Sequence, residues 1–289
     1  MNSFGETPRK IGGIAFLAAC GLGPAMDTIS GFVTAPSSTF TAWTLGAGDS
    51  LAIRNFPDAK RAWLIDEWAF NQVAGALRVR SPRMHDNVRG VTFNIPGNSQ
   101  AFPLLDQRMP QNLYAQDTLI VEQTGSAVGG QIETGSLLLY YEEIPGVNAN
   151  LTTWDDVRAR GVNLFTQLCT CVSGAGGGYT GGVAINAASD LWQANTDYAL
   201  VGYTVDAQCA SVCVRGTDTG NLRISGPGNS TIRDSTRWYF RFLSELQGKA
   251  MIPVINAANR FNTTVDVVTN QAAGTFNINL SFVQLAPKK

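Results

Sequence analysis

From Thr39 onward the chain alternates apolar and polar residues in short runs separated by turn formers. Thr39-Phe-Thr-Ala-Trp-Thr-Leu45 alternates, Gly46-Ala-Gly-Asp49 turns, and Ser50-Leu-Ala-Ile-Arg-Asn-Phe56 alternates again. Further runs follow at 61–70, 76–80, 90–95, 118–122 and 136–144. A period of two marks a half-buried strand, because successive side chains point to opposite faces of a sheet. The strands are closely spaced, joined by Gly, Pro and Asn turns, and do not alternate regularly with helices. This pattern predicts an all-β antiparallel sandwich or barrel rather than a parallel α/β sheet.

Two stretches change period. Thr153-Trp-Asp-Asp156 places an N-capping hydroxyl three residues before an acid, with negative charge in the first turn, and predicts a helix over 153–168. Trp154, Val157, Leu164, Phe165 and Leu168 would form its apolar face, with Gly161 weakening the centre. The glycine run from Gly174 to Gly182 then reads as a flexible connector. It lacks the Lys-Ser/Thr and the strand-to-helix setting of a phosphate loop. The second stretch is Arg233 to Gly248, where Trp238, Tyr239, Phe242, Leu243 and Leu246 fall at helical spacing before a terminal glycine.

The two sides of the connector resemble each other. Val183-Ala-Ile matches Leu51-Ala-Ile, and the run from Ala199 to Arg215 echoes the run from Ala62 to Arg80. The tetrapeptide Pro-Gly-Asn-Ser occurs at 96–99 and again at 227–230, an offset of 131. Met109-Pro110 faces Met251-Ile-Pro253, and Ile144-Pro145 faces Ala286-Pro287 at an offset of 142. The common order of these matches predicts an internal repeat, and the single growth in offset places one insertion at the second helix.

Composition narrows the chemistry. Of 289 residues 44% are hydrophobic and 15% charged, against about 25% charged in an ordinary soluble domain. The formal charge of −1 gives no electrostatic reason to bind nucleic acid or an anionic membrane. His85 is the single histidine, in a run of turn formers. It reads as a surface-loop residue, and a zinc site with two or more histidines is excluded. Cys20, Cys169, Cys171, Cys209 and Cys213 form no C-x-x-C pair. Cys209 and Cys213 read as strand residues packed on one face, and Cys169 and Cys171 as the end of the first helix.

The acid pairs Asp66-Glu67, Glu142-Glu143 and Asp155-Asp156 are the available material for a glycosidase, but strand neighbours point to opposite faces and Asp155-Asp156 serves the helix start. No catalytic, cofactor-binding or metal-ligating residue is assigned, and no cofactor. The Asn-x-Ser/Thr sequences at Asn150, Asn229 and Asn262 are read as chance. Near the start, the run Ile11 to Cys20 is short and carries a glycine pair, so residues 11–33 read as an apolar arm that docks on something rather than as a signal or a span.

Two tandem β units, a helical linker, a helix inserted late in the second unit and an apolar N-terminal arm together resemble the double jelly-roll major capsid proteins of tailless icosahedral viruses. This is the tectivirus and adenovirus type, which includes bacteriophages with an internal membrane. The resemblance covers about residues 37–287 and rests on architecture, not on a motif. It implies an all-β fold of two tandem eight-stranded antiparallel jelly-roll barrels. The arm would span 1–36, the first barrel 37–145, a helical and Gly-rich linker 146–182, and the second barrel 183–289.

It further implies a structural, non-enzymatic subunit of a virion shell, assembled in the host cytoplasm as pseudo-hexagonal homotrimers. Its partners would be copies of itself, minor capsid proteins and, through the arm, the inner viral membrane, with no direct nucleic-acid binding. A phage spike or carbohydrate-binding β-sandwich is the alternative, and an enzyme on a jelly-roll scaffold a third.

Overall fold

The computed structural model describes residues 23–84, 87–97, 99–101, 110–174, 176–185, 191–206, 209–228, 236–269 and 274–288. Cys20, His85, Met109, Asn229 and the first part of the expected arm lie outside them. The first half runs through β1 (Ala25–Thr34), β2 (Thr41–Ala42), β3 (Thr44–Leu45), β4 (Ala62–Asn71), β5 (Gly75–Arg80) and β6 (Val91–Ile95). It continues through β7 (Ser99–Ala101), β8 (Gln111–Leu113), β9 (Ile120–Gln123) and β10 (Ile132–Tyr141).

After β11 (Leu151–Thr152) and α1 (Trp154–Arg160), the second half comprises β12 (Gly161–Ser173), β13 (Tyr179–Ala184), β14 (Asp197–Val205), β15 (Ser211–Arg215) and β16 (Ile224–Pro227). It ends with α2 (Tyr239–Gln247), β17 (Ile252–Asn256), a 3-10 helix (Ala257–Asn262), β18 (Thr264–Val268) and β19 (Gly274–Leu285).

All strand pairings are antiparallel, and the two halves repeat one order. In the first half one sheet runs β3-β1-β10-β4-β7, with β8 also on β4, and the other β2-β9-β5-β6. In the second half the sheets run β12-β19-β14-β17-β11 and β13-β18-β15-β16. Thus β1, β10, β4 and β8 correspond to β12, β19, β14 and β17, and β2, β9, β5 and β6 to β13, β18, β15 and β16. Among the described residues no barrel closes; each half is a pair of sheets.

The sequence matches have structural counterparts. Ala52 bridges Thr118 and Ala184 pairs with Thr264, so Leu51-Ala-Ile and Val183-Ala-Ile both lie at the start of the strand they face. The glycines of the shared tetrapeptides have a common steric cause. A Cβ on Gly97 would lie 2.7 Å from the backbone nitrogen of Ala74, and one on Gly228 2.2 Å from the carbonyl oxygen of Cys209. In each half the chain leaving β6 or β16 presses on the turn before β5 or β15, leaving no room for a side chain. The inserted α2 lies between β16 and β17, where the offset between repeats grows.

Several expectations are corrected. Ala25–Thr34 belongs to the first sheet, in register with β10 along its whole length, and is not part of an arm ending at residue 36. The helix expected over 153–168 stops at Arg160 and Gly161 is extended (φ −62°, ψ 127°). Leu164, Phe165 and Leu168 fit a helical face, but Phe165, Gln167, Cys169, Cys171 and Ser173 also alternate inward, and pairing with β19 from Gly161 to Ser173 decides for the strand. The linker expected over 146–182 therefore contains an edge strand, and Gly177 (φ +98°) turns the chain from one sheet to the other. Cys209 precedes β15 instead of lying on it. On α2 the buried face is Tyr239, Phe240, Leu243 and Ser244, rotated from the expected one, so Phe242 and Leu246 are exposed.

The first half has its own apolar core of Ile29, Leu64, Leu77, Val79, Val121, Leu137 and Leu139, drawn from both sheets. Met26, Ile65, Trp68, Leu138 and Tyr140 alternate to the other face of β1, β4 and β10, where they join the core of the second half. These strands are buried on both faces, hence the near-continuous apolar runs in their sequences. Each fully buried aliphatic side chain contributes about 1.5–3 kcal/mol.

Candidate functional site at the seam between the halves

Strand β1 presents Met26, Thr28, Ser30 and Phe32 to the second half, and polar groups are interleaved with the apolar contact. The backbone N–H of Ser225 on β16 donates to Thr28 Oγ1 (3.1 Å). Ser30 Oγ donates to the Tyr179 hydroxyl (2.8 Å) and lies 2.7 Å from Ser136 Oγ, while the Tyr179 hydroxyl lies 2.8 Å from Ser225 Oγ. Burial holds the Tyr179 phenol far above its ordinary range, so it acts only as a neutral hydroxyl. Phe32 packs against Gly177, whose absent Cβ would sit 2.6 Å from the ring.

At one end of this seam is a cleft of about 410 Å³ lined by Asp27, Asp49, Arg54, Arg215, Asn221 and Arg223 among others. Arg54 Nε donates to Asp27 Oδ2 at 2.7 Å. Arg223 donates to Asp49 and, at 2.8 Å, to the carbonyl of Ala47, and its guanidinium stands 4.8 Å from the Tyr179 ring centroid. Asp49 also accepts the Ser30 backbone N–H at 3.1 Å. Burial pushes the Asp49 carboxyl up to about 6 against the pull of Arg223, and burial likewise raises Asp27 against Arg54. Buried carboxyls with raised proton affinity are the material of acid–base chemistry. Here each is tied to its own arginine, and the arrangement serves as an ionic fastening of the Gly46–Asp49 turn to the second half.

Sequence reasoning missed this cluster because Asp27 and Asp49 are far apart in the chain and Arg223 comes from the other half. The acid pairs singled out earlier are elsewhere and separate. Asp66 Oδ2 accepts the Tyr239 hydroxyl at 2.8 Å, and Trp68 packs edge-on to the same ring at 6.3 Å. Glu142 Oε2 accepts the Arg61 N–H at 3.0 Å, and Glu143 lies 3.5 Å from Lys60. Thr153 caps α1 by accepting the Asp156 N–H at 3.2 Å, and Arg160 bonded to Asp156 lowers that carboxyl to about 2.

The four described cysteines, Cys169, Cys171, Cys209 and Cys213, are buried and form no disulfide. Among the described residues no cluster of three metal-ligating side chains occurs, and no helix is long and apolar enough to cross a membrane.

A second polar cluster covers the outer face of the smaller first-half sheet. Arg78 Nε and Arg80 Nε donate to Glu122 Oε2 at 2.8 and 3.0 Å, and Arg78 stands 4.1 Å over the Phe40 ring. The hydrogen bond from Arg80, followed by that from Arg78, holds Glu122 below its usual range.

No protein-family model matches the chain, and no curated protein matches it. Solved structures align along most of its length at low scores. The exported protein XepA of PBSX is 12% identical, with 90% of this chain and 86% of that one covered and a TM-score of 0.24. A chain from the atomic structure of Sulfolobus Turreted Icosahedral Virus is 11% identical, with 92% and 81% covered and a TM-score of 0.23. The STIV MCP is 8% identical, with 90% and 96% covered and a TM-score of 0.19. Scores of this size place the chain in no family.

Proposed function

We propose that the chain is a major capsid subunit made of two tandem eight-stranded jelly rolls, three copies of which form a pseudo-hexagonal trimer that tiles an icosahedral shell. The observation that carries this reading is the repeated interleaved strand order, β1-β10-β4-β8 against β2-β9-β5-β6 and its copy in the second half. Eight strands wound so that first and last are neighbours in one sheet, and second and seventh in the other, make the jelly-roll order. Two such units side by side in one chain, sharing a buried face, make a building block with two similar flanks. Scarce charge fits flanks that are covered by neighbours.

In this reading the first roll begins at Ala25 and the second at Gly161, with α1 between them, and the segment before Gly23 lies on the inner face of the shell against minor capsid proteins or an internal membrane. The protein has no catalytic role and resides in the virion. Light scattering after size exclusion, with negative-stain imaging of concentrated protein, tests it. A mass of three chains and hexagonal capsomers are expected, and a monodisperse monomer at high concentration would overturn it.

A further inference from the structure

Strand β12 is the edge of its sheet, and its outward face is apolar and, among the described residues, uncovered. Val162, Leu164, Leu168 and Val172 are exposed to 64%, 43%, 53% and 66%, with Thr166 and Thr170 between them. An uncovered edge strand carrying a row of large aliphatic residues invites association. The internal repeat identifies the partner. The counterpart of β12 is β1, whose outward face is covered within the chain by β16 and Tyr179 of the second half. The counterparts of β16 and β13 are β6 and β2, whose Thr92, Asn94, Thr41 and Ala42 are exposed. One chain therefore holds one used and one unused copy of the same pair of faces.

We propose that the β12 stripe docks on the β2–β9–β5–β6 face of the first half of a second copy of this chain. The contact reproduces between chains the packing already present between halves. The two surfaces differ, so the contact is head-to-tail, and repetition of one step closes a ring. In the Arg78–Glu122–Arg80 cluster the one carboxylate offsets one of the two guanidinium charges, and the arginine stems with Phe40 offer apolar surface to the stripe. This inference rests on the shell-subunit reading and adds to it which faces meet.

Complementation between two dead faces tests it. One variant carries Leu164→Glu and Leu168→Glu, the other Thr92→Arg and Asn94→Arg. All four positions are exposed, and thermal melts by circular dichroism check that each variant folds. Each alone is expected to lose the trimer entirely at a concentration where the unaltered chain is trimeric. An equimolar mixture of the two is expected to give a dimer and nothing larger, since one intact face of each kind remains.

A trimer retained by the β12 variant would overturn the inference while leaving the shell reading intact. Loss of assembly in the β12 variant with none in the other would show stripe-to-stripe contact, which also overturns it. If the chain's own residues 1–22 cover the stripe, deleting them would raise exposure of β12 to hydrogen exchange and the glutamates would leave the trimer unchanged, a third contrary result. An unaltered chain that stays monomeric would sink the shell reading itself.

Discussion

The hydroxyl of Tyr239 donates to Oδ2 of Asp66 across 2.8 Å, joining α2 of the second half to β4 of the first. Both residues are buried, at 1% exposure each. Asp66 Oδ1 also accepts the Glu67 N–H at 2.9 Å, so the carboxyl is held from two sides. Tyr239→Phe keeps the ring and its edge contact with Trp68 but removes the hydroxyl that donates to Oδ2. The expected loss is about 0.5–1.5 kcal/mol, the usual net worth of one buried hydrogen bond. Urea unfolding followed by far-ultraviolet circular dichroism checks it, and a change within error would mean that water reaches Asp66.

Arg223 and Asp49 form the ionic counterpart of that contact. Their side chains are 15% and 5% exposed, and the guanidinium also holds the Ala47 carbonyl. Arg223→Leu leaves a buried carboxylate with one backbone donor, so at pH 7 a cost of about 3–5 kcal/mol is expected. Protonation of Asp49 relieves it, so the cost should shrink at pH 5. Adding Asp49→Asn to the same chain should recover part of the loss at pH 7. Full additivity of the two substitutions would contradict a direct pairing.

The buried carboxyls give stability a pH dependence of definite sign. Burial raises Asp49 to about 6, and raises Asp27, Glu133 and Asp218. A carboxyl raised in the folded state binds its proton more tightly there than in the unfolded chain, so each of these makes stability fall as pH climbs above about 4, for Asp49 up to about 6. For Asp49 the shift is worth about 3 kcal/mol at most, at about 1.4 kcal/mol per pH unit. Glu122 and Asp156 are depressed, Asp156 to about 2, and their contribution is lost as pH falls below about 4. Maximum stability is therefore expected near pH 4–5, and Asp49→Asn should flatten the slope between pH 4 and 6. Melting temperatures across that range decide it, and a steady rise from pH 4 to 7 is the contrary outcome.

How much of this was legible in the chain depends on whether a feature repeats locally. The strand runs at 61–70, 76–80 and 90–95, the Thr153 cap and the late helix show in spacing, because period and capping are local properties, whereas the run at 50–56 alternates equally well and forms only a bridge at Ala52. The repeat showed because Gly97 and Gly228 answer the same steric demand in both halves. The fate of Leu164 to Ser173 did not show, since that segment satisfies both periods and only its ladder with β19 settles the choice. The assignment of Ala25–Thr34 to the first sheet depends on β10, more than a hundred residues away. The Asp49–Arg223 pair was invisible for the same reason, the Asp27–Arg54 pair because no local period links its members, and the exposure of Leu164 and Leu168 because it depends on what lies beside β12.

The first-half core turns on an indole laid across two glycines. Gly31 and Gly135 face each other on β1 and β10, and a Cβ on either would come within 2.6 or 2.4 Å of the Trp43 ring. Trp43 Nε1 donates to Gln123 Oε1 at 2.8 Å, which fixes the ring against both strands. With its ring so fixed, Trp43 cannot give way, and Gly31→Ala should cost about 1–3 kcal/mol through overpacking. Trp43→Phe alone should also destabilise, since the Gln123 amide oxygen loses its donor and a cavity opens. Combined, the two should cost less than their sum, because the smaller ring leaves space for the new methyl. A double-mutant cycle in urea measures that difference. Strict additivity would show that the sheet, rather than the indole, is what refuses a side chain at position 31.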